Sequence, residues 1–169
     1  SISIGRLVPQ IVYYVYAYCQ LLKQGELSTG EKLTVSVPTG NFGNILAAYF
    51  AKEMGLPLGT LLCASNENKV LTDFFHTGIY DKNRPFHLTT SPSMDILISS
   101  NLERLLYAVN RKEEDVEGYM KDLQNRGRYQ ISQEMQEKLE EEFYSGFGKD
   151  GEGSVDIFQT YKETGYIID

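Results

Sequence analysis

The pattern of apolar and polar residues predicts alternating helices and strands along the first part of the chain. Apolar residues recur at helical spacing from Pro9 to about Lys23, and several tyrosines widen the stripe, so this helix is expected to be buried on more than one side. The runs 33–37 and 60–65 predict short buried strands, and the stretch 44–54 between them predicts a helix. Strand, helix and strand in this order predict a right-handed βαβ unit in a parallel sheet.

The pattern changes after this unit. Three further helices are predicted, at about 66–78, 102–109 and 155–164, the second of them capped by Ser100-Asn101. Two prolines make the segment 80–94 irregular. Residues 112–145 carry dense charge and sparse apolar positions, which predicts thin amphipathic helices.

These elements predict an α/β architecture in three parts. We expect an α/β body at residues 1–111, a helical appendage at 112–147, and a loop and helix at 148–169 that return to the body. The chain starts with Ser1 instead of Met and stops on an apolar run. Both ends are therefore expected to be cut from something longer.

Composition narrows the classes of function. The 169 residues carry a formal net charge of −7, which argues against non-specific binding to nucleic acid or to an anionic membrane. No apolar run reaches the roughly 18 residues of a membrane span, and no signal peptide is visible. We predict a cytoplasmic protein without a nucleic-acid or membrane partner.

The cysteines and histidines are interpreted as structural or solvated side chains. Cys19 and Cys63 lie in apolar stretches and are predicted to be buried thiols in a reducing compartment. His76, near a helix end, and His87, in the irregular segment, are predicted to be solvated. Because neither has a cysteine or carboxylate at ligand spacing, no metal site is predicted.

The segment Pro38–Asn44, of sequence Pro-Thr-Gly-Asn-Phe-Gly-Asn, is the main candidate for chemistry. A turn of this kind between a strand and a helix points backbone N–H groups and the positive end of the helix dipole at one spot. It also lies at the carboxyl end of a parallel strand, where open α/β sheets bind ligands. Gly40 and Gly43 are expected to allow unusual backbone angles and close approach of an anion. Asn41 and Asn44 are expected to add amides or to cap the helix.

The known nucleotide-binding motifs do not fit this segment well. The spacing lacks the Gly-x-Gly-x-x-Gly series of dinucleotide sites, and no Lys-Ser or Lys-Thr follows the last glycine. An anion smaller than ATP is the better match, and a purely structural turn stays open. Phe42 is interpreted as a core anchor in preference to a ring that stacks on a ligand. Whether Asp95 lines the cleft stays open, and Glu103-Arg104 is interpreted as a structural ion pair, with the active-site wall as the alternative.

Several stretches, in order, resemble threonine synthase of the bacterial and fungal type. The loop with its flanks, 36–44 and 51–57, resembles the phosphate loop and following helix of that family. The other matching stretches are 1–6 with 9–14, 66–68 with Leu71, Thr72 and Phe75, 91–96, 98–104 and 163–169. The agreement spans most of residues 1–111 and the tail.

The resemblance implies a fold similar to the tryptophan synthase β subunit, which is fold type II of the pyridoxal-phosphate enzymes. It implies a lyase of threonine biosynthesis that converts O-phosphohomoserine and water to threonine and phosphate by β,γ-replacement. The residues that match the cradle of the cofactor phosphate are Gly40, Asn41, Phe42, Gly43 and Asn44. The residues that match the segment near the substrate phosphate are Ser1, Ser3 and Arg6, with Ser3 in place of the usual Asn.

The family's lysine that holds the cofactor belongs to a motif upstream of Ser1. Lys23, Lys52 and Lys69 stand outside any such motif and are interpreted as helix-surface charges. The chain is therefore expected to be a central part of a threonine synthase, completed by the remainder of its own chain and inactive alone. Two alternatives stay open: a non-catalytic binding or interaction module that retains the loop, and a threonine synthase-like phospho-lyase that releases phosphate from O-phosphohomoserine without forming threonine.

Overall fold

The computed structural model describes residues 4–167, apart from the side chain of Ser154. The helices in this range are α1 (Ile4–Gln24), α2 (Gly43–Glu53), α3 (Val70–Thr77), α4 (Leu102–Asn110), α5 (Glu113–Arg126), α6 (Gln133–Glu142) and α7 (Asp150–Thr164). The strands are β1 (Leu33–Pro38), β2 (Leu58–Ser65), β3 (Ile79–Asp81), β4 (Arg128–Gln130) and β5 (Phe143–Phe147). A short 3-10 helix covers Pro92–Met94.

The predicted βαβ unit is confirmed. β1 and β2 are parallel neighbours, with Val37 opposite Cys63, and α2 connects them. β5 extends the sheet on the other side of β2, also in parallel, so the strand order is β1-β2-β5. β3 and β4 form a separate antiparallel pair.

The strands β4 and β5 were not predicted, because helices alone were expected across residues 112–147. β4 has three residues, and α6 runs into β5 without any intervening breaker, so neither strand has a local signal. The Phe143 ring is buried and packs on Phe75 with 5.3 Å between ring centroids. This long-range packing stabilises Phe143–Phe147 as a strand. The division of the chain into three parts stays a prediction.

Helix α1 differs from its prediction in extent and burial. It is already helical at Ile4, so Pro9 lies inside it instead of in its first turn. Its buried residues are Leu7, Tyr14 and Tyr18, on the side that packs against α2. Residues on the other side are exposed, namely Val8, Val12, Tyr13, Val15, Tyr16 and Cys19. The predictions of a helix buried on more than one side and of a buried Cys19 are therefore wrong for the described chain. Cys63 is buried, as predicted.

The core beneath the sheet is rich in aromatic rings. Phe42 is 1% exposed and contacts Phe75 and Phe143, with ring centroids 6.0 and 5.7 Å away. This confirms the interpretation of Phe42 as a core anchor. Tyr80 stacks on Tyr129 with ring centroids 5.3 Å apart and an interplanar angle of 2°, which ties the β3–β4 pair into the same core.

Candidate functional site

The Pro38–Asn44 loop leaves the sheet at the end of β1 and enters α2 at Gly43. Thr39 ties it to the sheet, because its N–H donates to the Ala64 carbonyl at 2.8 Å and its hydroxyl donates to the Val37 carbonyl at 2.7 Å. Phe42 then takes a left-handed conformation with φ 62° and ψ 11°. A bulky residue rarely adopts this conformation, and here the buried Phe42 ring compensates its cost.

Gly40 is needed for close approach, and neither loop glycine is needed for an unusual backbone angle. Neither Gly40 nor Gly43 has a positive φ, so that part of the prediction is wrong. A Cβ on Gly40 would lie 3.1 Å from the Ser93 carbonyl oxygen, and one on Gly43 would lie 3.4 Å from Asn101 Nδ2. The loop therefore packs against Ser93 at a distance that favours glycine at position 40, whereas the distance at Gly43 is at the limit of ordinary contact.

The N–H groups of the loop face no partner. None of the backbone N–H groups from Gly40 to Ile45 donates a hydrogen bond to another group of residues 4–167. A cavity of about 310 Å³ adjoins them. Its lining residues are Gln10, Val37, Pro38, Thr39, Gly40, Asn41, Phe42, Gly43, Asn44, Ile45, Ser93 and Met94. The structure thus joins all five predicted loop residues around one space at the amino end of α2.

The electrostatics of this cavity come from dipoles. None of its lining side chains is ionisable. Free N–H groups at a helix start attract an anion through hydrogen bonds and the helix dipole. The Tyr14 hydroxyl donates to both the carbonyl and the side-chain oxygen of Asn44, the former at 3.2 Å. Burial raises the pKa of Tyr14 to about 12, so it stays a donor at neutral pH. Asn44 is therefore held by α1 and does not cap α2.

The carbonyl groups of the loop, in contrast, are bonded. The Ser99 hydroxyl donates to the Gly40 carbonyl. The backbone N–H and the side-chain Nδ2 of Asn101 both donate to the Asn41 carbonyl, at 3.2 and 2.8 Å. Asn101 is fully buried and makes no side-chain cap to α4, so its predicted capping role is wrong.

Asp95 does not line the cavity, which answers the question left open by the sequence. Its Oδ1 accepts hydrogen bonds from Asn66 Nδ2 at 2.7 Å and from Asn68 Nδ2 at 3.0 Å. The N–H of Thr89 donates to its Oδ2 at 2.9 Å, and the Thr89 hydroxyl donates to Oδ1 at 2.8 Å. The Thr89 N–H and the other donors lower the pKa of Asp95 below its ordinary value. Asp95 thus holds the segment that carries Ser93 against Gly40.

The predicted substrate-phosphate residues are only partly described. Ser1 and Ser3 lie outside the described residues. Arg6 is exposed on α1, one turn before Gln10, whose side chain donates to the Arg6 carbonyl at 2.7 Å. Gln10 lines the cavity and Arg6 does not.

Glu103 and Arg104 line a different cavity, of about 760 Å³, bordered by α2, α4 and α5. Arg104 Nη1 donates to Asn101 Oδ1 at 2.6 Å. Arg104 is therefore connected to the loop by its hydrogen bond to Asn101 and does not line the cavity at the loop.

Five residues that build the site were not predicted to belong to it. These are Gln10, Ser93 and Met94 in the cavity wall and Ser99 and Asn101 behind the loop. All five fall in stretches that match the family, and that match was the only available signal.

The remaining candidates carry no further site. His76 and His87 are exposed. Across residues 4–167, no three His, Cys, Asp or Glu side chains are grouped so that they could hold a metal ion. In the same range, no helix combines the length and apolar character needed to cross a membrane.

Two of the three comparisons with known proteins find similar proteins. No protein-family model matches the chain. Human threonine synthase-like 1 is 47% identical over 174 residues, and threonine synthase from Saccharomyces cerevisiae is 36% identical over 183 residues. Both alignments cover 100% of this chain. The solved structure of PLP-bound threonine synthase from Brucella melitensis superposes on 100% of this chain with a TM-score of 0.92 and 38% identity.

The chain belongs to the threonine synthase family. It spans 23% of the length of the human relative, 35% of the yeast relative and 35% of the Brucella chain. The fold class predicted from the resemblance is thereby confirmed for this part of the family's fold.

Proposed function

We propose that this chain is the part of a pyridoxal-phosphate-dependent threonine synthase that holds the cofactor phosphate. The full-length protein would convert O-phosphohomoserine and water to threonine and phosphate, as a carbon-oxygen lyase acting on phosphates. The observation that carries the proposal is the row of unbonded N–H groups from Gly40 to Ile45, which borders a cavity of about 310 Å³. The similarity to a PLP-bound threonine synthase supports the same ligand.

The residues of the loop fit a phosphate group. A fully ionised phosphate ester presents several acceptor oxygens and no donor. The loop presents free N–H donors, while its Gly40 and Asn41 carbonyls already accept hydrogen bonds from Ser99 and Asn101. Gly40, Asn41, Phe42, Gly43 and Asn44 would hold the phosphate through these N–H groups. An uncharged lining suits an anion that is held by hydrogen bonds and the α2 dipole.

The cofactor, when bound, supplies an electron sink for carbanion chemistry. The role of this chain is to bind and orient its phosphate group. No lysine lines the cavity at the loop, so covalent attachment requires a residue from elsewhere in the protein. We therefore expect residues 1–169 to be inactive by themselves.

Ser1, Ser3 and Arg6 are proposed to lie near the substrate phosphate. A guanidinium pairs two of its N–H groups with phosphate oxygens, and the Arg6 side chain is exposed. Its position one turn before Gln10, which lines the loop cavity, supports this proposal.

The partner of this chain is proposed to be the remainder of the same protein. Exposed apolar side chains lie along α1 and α7, among them Val12 and Phe158, which are 61% and 60% exposed. Parallel sheets are normally covered on both faces. The relatives are about three to four times longer than this chain, which leaves ample sequence to cover these surfaces.

A second candidate activity is a phospho-lyase that releases phosphate from O-phosphohomoserine without forming threonine. The observation that keeps it open is that the human relative at 47% identity is named threonine synthase-like 1, whereas the yeast relative named threonine synthase is 36% identical.

The test uses the full-length protein with pyridoxal phosphate and O-phosphohomoserine. We expect a visible absorption band of the bound cofactor, release of phosphate, and formation of threonine in equal amount. Phosphate release without threonine would favour the phospho-lyase. Absence of both the band and phosphate release would overturn the proposal that the full-length protein is an enzyme and would favour a non-catalytic module.

The assignment of the loop is tested separately with Gly43→Val. We expect this variant to lose most of its affinity for the cofactor, because a side chain at this position is directed at Asn101 Nδ2, which holds the Asn41 carbonyl of the loop. Gly118→Ala in α5 is the matched control, since its Cβ meets no atom within 4 Å. Equal cofactor affinity of Gly43→Val and the parent protein would contradict the assignment.

A further inference from the structure

The segment Ser99–Asn101 bonds the back of the loop. The Ser99 hydroxyl donates to the Gly40 carbonyl, and two donors of Asn101 reach the Asn41 carbonyl, at 3.2 and 2.8 Å. Two consecutive peptide groups of the loop are therefore held by their oxygens. These donors lie about sixty positions along the chain from the carbonyls that they bind.

Held carbonyls fix the direction of the N–H groups. No peptide bond of the described chain is cis, so the C=O and N–H of each planar peptide point in opposite directions. The peptide that carries the Gly40 oxygen also carries the Asn41 N–H, and the peptide that carries the Asn41 oxygen also carries the Phe42 N–H. Both N–H groups consequently point away from Ser99 and Asn101. Asn41 and Phe42 both border the cavity of about 310 Å³.

Ser99 and Asn101 are themselves held by hydrogen bonds. Arg104 Nη1 donates to Asn101 Oδ1 at 2.6 Å, which orients the amide so that Nδ2 faces the loop. The Tyr80 hydroxyl accepts from the Ser99 N–H at 2.8 Å and donates to the Leu97 carbonyl at 3.0 Å. Tyr80 is 1% exposed and its ring stacks on Tyr129. The support behind the loop thus extends into the hydrophobic core.

We propose that Ser99 and Asn101 are positioning residues for the cofactor phosphate, acting by aiming the Asn41 and Phe42 N–H groups. The proposal rests on the function proposed above, in which those N–H groups bind phosphate. A merely structural role, in which Ser99 and Asn101 only satisfy buried carbonyls, predicts loss of stability without any selectivity for the phosphate.

The test compares pyridoxal phosphate with pyridoxal, which lacks the phosphate. Dissociation constants for both are measured in the full-length protein and in Ser99→Ala and Asn101→Asp. The Asp side chain keeps an acceptor for Arg104 but loses the Nδ2 donor and places an oxygen against the Asn41 carbonyl. We expect about tenfold or greater weakening for pyridoxal phosphate, from misdirected charge-assisted hydrogen bonds, and about equal pyridoxal binding.

Ser100→Ala is the matched control, because Ser100 lies between the two residues and its hydroxyl makes a long hydrogen bond of 3.5 Å to Asn41 Oδ1 instead of to a loop carbonyl. It is expected to leave both constants unchanged. Tyr80→Phe keeps the ring and removes the hydroxyl, so it is expected to weaken pyridoxal phosphate selectively but by a smaller factor. This variant serves the test if Ser99→Ala or Asn101→Asp does not fold.

The outcomes separate the two proposals. Equal weakening of both ligands, or unchanged constants with a lower unfolding midpoint, would overturn the positioning role while leaving the phosphate site intact. If the parent protein binds pyridoxal as tightly as pyridoxal phosphate, the loop is not a phosphate site and both proposals fail. The phosphorus resonance of bound pyridoxal phosphate gives an independent readout, since it is expected to shift in Ser99→Ala and not in Ser100→Ala.

Discussion

Two strand-to-helix turns stand side by side at the carboxyl edge of the sheet, and they are built in opposite ways. The first turn, between β1 and α2, leaves its backbone N–H groups unbonded beside a cavity. The second, between β2 and α3, carries Asn66 and Asn68, whose side chains are fully engaged. Asn68 accepts from the His87 N–H at 2.9 Å and donates to the His87 carbonyl at 2.7 Å. The Asn68 N–H in turn donates to Asn66 Oδ1 at 2.9 Å.

The two turns at this sheet edge therefore have different roles: one positions a neighbouring segment, and the other leaves its N–H groups unbonded. Because the side chains of the second turn bind Asp95 and His87, they fix the segment that places Ser93 against Gly40. The first turn is then supported from outside and can leave its own donors free. The N–H groups of the first turn stay unbonded while neighbouring side chains satisfy its carbonyls.

The largest expected effect on stability comes from comparing the residues that directly precede the two helices. Phe42 precedes α2 and is buried, whereas Lys69 precedes α3 and is partly exposed. We expect Phe42→Ala to lower the free energy of unfolding by about 3–5 kcal/mol through the cavity it leaves. Lys69→Ala is expected to change it by less than about 1 kcal/mol. Chemical denaturation of the full-length protein measures both, and equal effects would contradict the contrast.

A smaller effect is expected when the second turn loses its side-chain bonds. Asn68→Ala removes hydrogen bonds to His87 and Asp95 and leaves their partners unsatisfied. We expect a loss of about 1–3 kcal/mol in the free energy of unfolding. Cofactor affinity is expected to fall as well, because Ser93 loses its support. Unchanged affinity in a destabilised Asn68→Ala protein would show that the two turns are independent.

A still smaller change is expected at Gly40. The added Cβ of Gly40→Ala lies 3.1 Å from the Ser93 carbonyl oxygen, so the two segments must separate by a few tenths of an ångström. We expect a net loss of about 1 kcal/mol, since crowding exceeds the gain from a less flexible unfolded chain. Gly118→Ala, whose Cβ meets no atom, is expected to stabilise by up to about 1 kcal/mol. The unfolding midpoints of the two variants should therefore move in opposite directions.

The smallest expected effect is a change of stability with pH that occurs only in acid. The pKa of Asp95 is lowered in the folded protein, so its charged form contributes stability above the unfolded pKa of about 3.9, and that contribution is lost as pH falls through the folded pKa. The difference in free energy of unfolding between the parent and Asp95→Asn should be constant above about pH 5 and should shrink below about pH 4. A difference that does not change down to about pH 3 would contradict this role of the carboxylate.

Local pattern was sufficient for several parts of the molecule. The βαβ unit was predictable because its strands are short apolar runs and its helix has a continuous apolar stretch. Phe42 was predictable as a core anchor because a large ring within a turn is more often buried in the core than stacked on a ligand. β5 was not, because it follows α6 without a break and is stabilised by its pairing with β2, about eighty positions earlier.

The sequence by itself determined where the Pro38–Asn44 loop lies, the class of fold around it and, through matching stretches, the family. Only the tertiary structure decided that Phe42, and not a glycine, takes the left-handed conformation, and that Ser99 and Asn101 hold the loop by its carbonyls. The physical reason is separation along the chain. A hydrogen bond between residues 59 or 60 positions apart leaves no periodic trace in the sequence, whereas a strand, a helix and the turn between them are recorded in adjacent residues.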